Sequence, residues 1–113
     1  MQECEIILYE IKRLCECNDL VFLQETWLSV LDIHVLSAID ESFYAKGISS
    51  MNVSEKVLCG RPYGGIAILW RKTLSGCKVI DMDDTRLMGF ELSTSNNTLF
   101  FINVYLPCDS HEI

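Results

Sequence analysis

The sequence has no apolar run of the roughly 18 residues that a membrane-crossing helix needs, so no such helix is read from it. Cations are also scarce. Nine Lys and Arg stand against 16 Asp and Glu, a net charge of −7. A protein that coats nucleic acid by displacing counterions needs clustered cations, and that class is excluded. A metal-dependent enzyme acting on phosphates is not, because its site gathers carboxylates around the cation. The opening Met1-Gln2-Glu3-Cys4-Glu5 is acidic and lacks the basic-then-apolar pattern of a secretory leader. No internal repeat or low-complexity linker is visible. No Cys-x-x-Cys occurs among the cysteines at 4, 15, 17, 59, 77 and 108, and no histidine is near Cys15-Glu16-Cys17. Free, mostly buried intracellular thiols are expected, rather than a zinc site or a disulfide framework. With an intracellular (nuclear or cytoplasmic) setting expected, the sequons at Asn52 and Asn96 carry no weight.

Half of the 113 residues are hydrophobic (50%), enough for one small domain with a core of its own. Cys4, Ile7, Leu8, Ile11, Leu14 and Cys15 recur at steps of three and four between charged residues, which predicts an amphipathic helix ending near Asn18. Leu20 to Gln24 does not alternate and reads as a strand buried on both faces. A weaker helical pattern runs from Ser29 to Ile39, and Phe43 to Ser50 reads as a strand. Asn52 to Tyr63 is polar and irregular. Ile66 to Trp70 is a second fully apolar strand, followed by a turn at Lys72 to Gly76. Strands are expected at Cys77 to Asp81, Arg86 to Leu92 and Leu99 to Leu106, the last two joined as a hairpin by Ser93-Thr94-Ser95-Asn96-Asn97-Thr98. Pro107 closes the last strand, since it cannot donate to a ladder. The order predicts a mixed α/β fold with a largely antiparallel sheet.

Several positions invite a chemical reading. Glu25 follows a buried strand, at the kind of carboxyl end where open α/β sheets place ligands. A capping or solvated carboxylate and a ligand carboxylate are both compatible with it. In Leu99-Phe100-Phe101-Ile102-Asn103-Val104-Tyr105-Leu106, alternation puts Phe100, Ile102, Val104 and Leu106 on one face, expected to be core. Leu99, Phe101, Asn103 and Tyr105 share the other, which turns polar toward its end. Tyr105 is then either a core tyrosine with its hydroxyl at the surface or the rim of a cleft. Gly60-Arg61-Pro62-Tyr63-Gly64-Gly65 precedes a strand rather than a helix and has no Lys-Ser/Thr pair, which excludes a P-loop. Asp81, Asp83 and Asp84 lack the spacing of a calcium loop and read as a solvated turn. Arg71-Lys72 reads as a strand-end pair in water or a contact to a phosphate backbone.

Three segments in this order, Leu23-Gln24-Glu25-Thr26, Gly64-Gly65-Ile66-Ala67-Ile68-Leu69 and Asn103-Val104-Tyr105-Leu106-Pro107, resemble the endonuclease/exonuclease/phosphatase family. The resemblance is closest to the endonuclease domain of non-LTR (LINE-type) retrotransposons, and runs from about Glu5 to the end. It implies a Mg²⁺-dependent phosphodiesterase acting on DNA, in which Glu25 binds the metal and Tyr105 is catalytic, directing its hydroxyl at the scissile phosphate. Such a pairing suits the chemistry: Mg²⁺ takes carboxylate oxygen, and a neutral phenol can donate to developing negative charge. The implied fold is a four-layer α/β sandwich of two packed sheets flanked by helices.

The family's first strand, which carries an Asn, has no counterpart here, nor do its Gly-Asp-Phe-Asn and Ser-Asp-His motifs. Asp109 and His111 fall in no matching motif. The expectation is therefore a single partial domain over residues 1–113, truncated at both ends, inactive alone and open to self-association through an exposed sheet. The alternative is a non-catalytic intracellular α/β module that binds a protein partner.

Overall fold

A computed structural model describes residues 2–26, 28, 33–49, 53–54, 57–58 and 64–106. Cys59, Cys108, Asp109, His111, Asn52, the start of the predicted Ser29–Ile39 helix and most of the Gly60–Gly65 stretch lie outside the described residues. So do the side chains of Cys4 and Ile7.

Helix α1 (Gln2–Cys17) leads into strand β1 (Leu20–Gln24), and a short 3-10 helix (Ile33–Ala38) precedes β2 (Phe43–Ile48). Two-residue strands β3 (Val53–Ser54) and β4 (Val57–Leu58) pair with each other. Strand β5 (Ile66–Arg71) is followed by β6 (Cys77–Asp81), β7 (Leu87–Ser93) and β8 (Thr98–Val104). The longer strands form two antiparallel sheets, β1-β5-β2 and β6-β7-β8. The chain is thus mixed α/β, with more strand than helix.

Strand β5 organises the first sheet. Its residues Ile66, Ala67, Ile68 and Leu69 are fully or almost fully buried, because the strand is central and both of its faces are covered. Opposite partners in an antiparallel pair share a face, so Val21, Leu69 and Ala45 line one side of the sheet. They pack with Phe43, and with Ile11 and Cys15 of α1. On the other side, Ile66, Ile68 and Trp70 meet Met88, Phe90, Val79 and Phe101 of the second sheet. Across this interface the Phe22 ring meets Phe90 and Phe101 edge-on and the Trp70 ring meets Phe90 tilted, geometries that aromatic quadrupoles favour.

Three expectations about burial are corrected. Strand β1 is an edge strand, so its apolar run is not buried on both faces: Phe22 is 37% exposed and Gln24 is exposed. The β8 face expected to be core, with Phe100, Ile102 and Leu106, points outward instead; Phe100 is 49% and Ile102 48% exposed. The second sheet buries its opposite face, with Phe101 and Asn103, against the first. On α1, Leu14 is exposed. Alternation assigns residues to faces correctly, but it does not say which face another layer will cover.

Residue Arg71, at the end of β5, fastens the helix to the sheet. Its guanidinium pairs with Asp19 at 2.8 Å and donates to the carbonyls of Cys15 at 2.9 Å and Asn18 at 3.0 Å. It also lies over the Phe43 ring, 4.7 Å from the centroid. The last carbonyls of a helix have no intrahelical partner and carry partial negative charge. The last turn of α1 has no basic residue of its own, so a cation from β5 caps it. Arg71 is therefore only partly exposed, and its guanidinium is engaged by the helix end rather than free for phosphate. Asn18 adds a bond from its side-chain amide to the Leu14 carbonyl at 2.9 Å, matching its expected role as a stop.

Cys15, Cys17 and Cys77 are free thiols. Burial pushes the Cys15 thiol up, with Asp40 adding to the shift, so it stays protonated and unreactive at neutral pH. Two outcomes are expected. Thiol reagents at neutral pH label the exposed Cys17 at once and Cys15 only on unfolding. Arg71→Ala lowers stability by about 2 kcal/mol through loss of charge-assisted bonds to the helix end, whereas Arg71→Lys, which has no planar fork, recovers only part. Urea unfolding followed by circular dichroism measures both variants.

Candidate functional site

Beyond the last residue of β1 the chain leaves the ladder at Glu25, with φ of +52°. For a residue with a Cβ this left-handed conformation is uncommon and costs free energy. Its position is held on the next residue: the Thr26 N–H donates to the Gly65 carbonyl at 3.2 Å. Gly65 sits at φ +90°, and a Cβ there would come within 2.5 Å of the Thr26 Oγ1. Close approach of these two segments therefore requires glycine. Gly64 also has positive φ, +61°.

Strand β8 delivers Tyr105 to the same place. The Tyr105 N–H donates to the Arg86 carbonyl at 3.0 Å, extending the pairing with the start of β7. The ring packs against the inter-sheet core, which also includes Ile66, Ile68 and Phe90. Its hydroxyl then reaches out and donates to Glu25 Oε1 at 3.1 Å. Of the two readings of Tyr105, its position matches a half-buried ring with its hydroxyl at the surface. Glu25 is exposed, so water solvates the rest of its carboxylate.

Two amides adjoin this pair along the chain, Gln24 before Glu25 and Asn103 two residues before Tyr105, and the motifs assign neither a role. Asn103 is 3% exposed and donates from Nδ2 to two carbonyls, Leu23 at 3.1 Å and Ala67 at 3.0 Å. From β1, Gln24 donates from Nε2 to the Val104 carbonyl. An amide on the inward face of a strand that is otherwise apolar is a detectable signal, since a buried amide must find partners.

Other candidates are drawn away from this place. The Asp81 carboxylate accepts from the Asp83 N–H at 2.8 Å, and the Asp84 carboxylate accepts from the Arg86 N–H at 2.8 Å. These acids stabilise their own turn, in which Asp83 has φ of +58°. Asp81 and Asp83 also line a cleft of about 850 Å³ between β2 and β6, with Lys46, Trp70 and Val79. Glu25 and Tyr105 do not line it. Lys72 places its ammonium 5.2 Å from the centroid of the Tyr44 ring. Among the described residues, no group of three or more His, Cys, Asp or Glu side chains converges as a metal cage; the oxygens that meet at this rim include the Glu25 carboxylate and the Tyr105 hydroxyl. No described helix is long and apolar enough to cross a membrane.

Gly65→Ala should be among the more damaging substitutions near the rim, since the new Cβ meets both a positive φ and the Thr26 hydroxyl. A loss of about 1–3 kcal/mol is expected. Pairing it with Thr26→Ala removes the hydroxyl but not the backbone strain, so chemical denaturation should show partial recovery only. In comparisons with known proteins, no family model matches the chain, and neither does any curated protein or solved structure.

Proposed function

We propose that this chain is the part of a Mg²⁺-dependent DNA phosphodiesterase, of the endonuclease/exonuclease/phosphatase kind associated with non-LTR retrotransposons, that carries its metal-binding glutamate, Glu25, and its phosphate-directed tyrosine, Tyr105. One observation carries this reading. Two residues 80 positions apart, each just past the end of a strand and the two strands in different sheets, place their functional atoms in hydrogen-bond contact at an exposed rim. The resemblance assigned both residues to one site on the strength of short motifs.

The layering supports the finer expectation of a partial four-layer sandwich. A helix lies on one face of the first sheet and the second sheet on the other. Phe100 and Ile102 face outward where a fourth layer would lie.

The donor set fits a loosely held hard cation. Mg²⁺ is bound through one or two carboxylates and keeps several waters, and the exposed Glu25 carboxylate leaves room for them. When bound, the ion supplies positive charge that polarises a phosphoryl oxygen. Tyr105 contributes an O–H, a hydrogen-bond donor for an oxygen gaining charge. Its half-buried ring limits where that donor can point. The Gly-Asp-Phe-Asn and Ser-Asp-His motifs have no counterpart in the sequence, so a group to activate water and a second phosphate-positioning set are not supplied by the resemblance. This chain by itself is expected to hold cation and phosphodiester weakly and not to hydrolyse.

Two measurements test the reading. Mn²⁺, used as a paramagnetic stand-in for Mg²⁺, should broaden the amide resonances of Gln24 to Thr26 first, and Glu25→Ala should abolish the effect. Absence of selective broadening in the unaltered chain overturns the metal role. A Mg²⁺-dependent plasmid-nicking assay should give no cleavage above buffer, and nicking that vanishes in Glu25→Ala would sink the claim of inactivity.

The outward face of the second sheet favours a second reading, an α/β module that docks a protein partner or a second copy there. Phe100 and Ile102 stand two residues apart on this face, each about half exposed, and exposed apolar side chains brought together favour a partner. Under either reading the chain should self-associate with rising concentration in sedimentation velocity, and Ile102→Lys should restore the monomer.

A further inference from the structure

We propose that Gln24 and Asn103 are positioning residues: a reciprocal pair of side-chain amides that sets the distance between Glu25 and Tyr105. The inference rests on the functional reading above and adds to it the device that holds its two residues in register.

The bonds run in opposite senses between the same two strands. Gln24 of β1 donates to the Val104 carbonyl of β8, and Asn103 of β8 donates to the Leu23 carbonyl of β1. Each bond joins a side chain of one strand to the backbone of the other. The residues concerned are 23 and 24 on one side and 103 and 104 on the other, so the site residues, Glu25 and Tyr105, come next on each strand. A single bond between two strands leaves a pivot, whereas two bonds of opposite sense, one residue apart, oppose both sliding and tilting. β1 and β8 belong to different sheets, so no backbone ladder performs this task.

Asn103 does more than mirror Gln24. Its second bond goes to the Ala67 carbonyl on β5 at 3.0 Å. Ala67 is directly opposite Leu23 in the ladder and lies two residues after Gly65. One buried amide nitrogen therefore ties together the three strands whose ends form the rim: the end of β1 with Glu25, the start of β5 with Gly65, and the end of β8 with Tyr105. The chemistry selects the residue type. Two carbonyls converging on one side chain need two N–H donors from one atom, which Asn supplies. Ser would offer one donor, Asp would set a carboxylate against two carbonyl oxygens, and Leu none.

An ordinary fastening role would also stabilise the sheets, so the test needs a readout that stability alone does not move. The full chain is prepared with ¹³C at tyrosine Cζ, a carbon sensitive to the hydrogen bond of the attached hydroxyl. Tyr105→Phe identifies the Tyr105 resonance among the 4 tyrosines, and Glu25→Gln marks its position when the carboxylate partner is lost. In Asn103→Leu and in Gln24→Leu the Tyr105 resonance should move toward that marked position, while the ring resonances of Phe90 and Phe101 stay those of the folded chain. Gln24 is exposed, so its variant remains informative if Asn103→Leu does not fold. A folded variant of either residue with the Tyr105 resonance unmoved overturns the proposal.

A Mn²⁺ titration of the same samples separates this inference from the functional reading. Loss of positioning should raise the Mn²⁺ concentration for half-broadening at Glu25 by about tenfold, the lower range seen when supporting hydrogen bonds of a metal ligand are removed. No selective broadening in the unaltered chain sinks the metal role and leaves the Tyr105 result standing by itself. Equal Mn²⁺ affinity in the unaltered chain and the folded variants overturns the positioning role.

Discussion

Burial of β5 on both faces is the constraint from which the rest of the structure follows. Its Ile66, Ala67, Ile68 and Leu69 have no polar side chain to present to water, so each face must be covered. Helix α1 covers one side through Ile11 and Cys15, and the second sheet covers the other through Met88 and Phe90. Each buried side chain of this size adds about 1.5–3 kcal/mol relative to exposure, enough to impose the layer order on a domain of this size. Both ends of β5 then acquire a further task. Arg71 at its end caps α1, and Gly64 and Gly65 at its start let the β1 exit approach.

The central strand was readable because a strand covered on both faces leaves an unbroken apolar run, and Ile66 to Trp70 is such a run. The hairpin of β7 and β8 was readable from a polar loop between apolar segments, and the observed strands differ from the expected ones by a residue or two. Edges were not readable. Leu20 to Gln24 is as apolar as β5 to the eye, yet β1 has a neighbour on one side only. Phe100 and Ile102 alternate as core residues should, and what decides their exposure is whether another layer lies over them. Such decisions belong to tertiary arrangement, and local pattern carries no record of them.

The candidate site divides in the same way. Glu25 and Tyr105 were marked by motif, and their meeting at 3.1 Å is a matter of sheet packing. Arg71 looked like a surface cation, because nothing in its local sequence announces a helix end many residues earlier. Asn103 and Gln24 were visible as letters but had no assigned work, since their partners are backbone carbonyls. A carbonyl is present at every residue, so sequence cannot show which one is chosen.

The placement of charge at the end of β1 now has a physical account. A carboxylate at the buried position of the strand, Val21, would need a buried partner. One residue past the strand, with a left-handed turn, the same group reaches water and the Tyr105 hydroxyl together. The residue before it can then be neither apolar nor charged without loss. Gln24 must cross from one sheet to the other, where an apolar side chain makes no bond and a carboxylate would repel the Val104 carbonyl. An amide followed by a carboxylate is thus the sequence that both closes the gap between two sheets and leaves an anionic group exposed at its rim. That logic holds whether the carboxylate meets a metal ion or only the tyrosine.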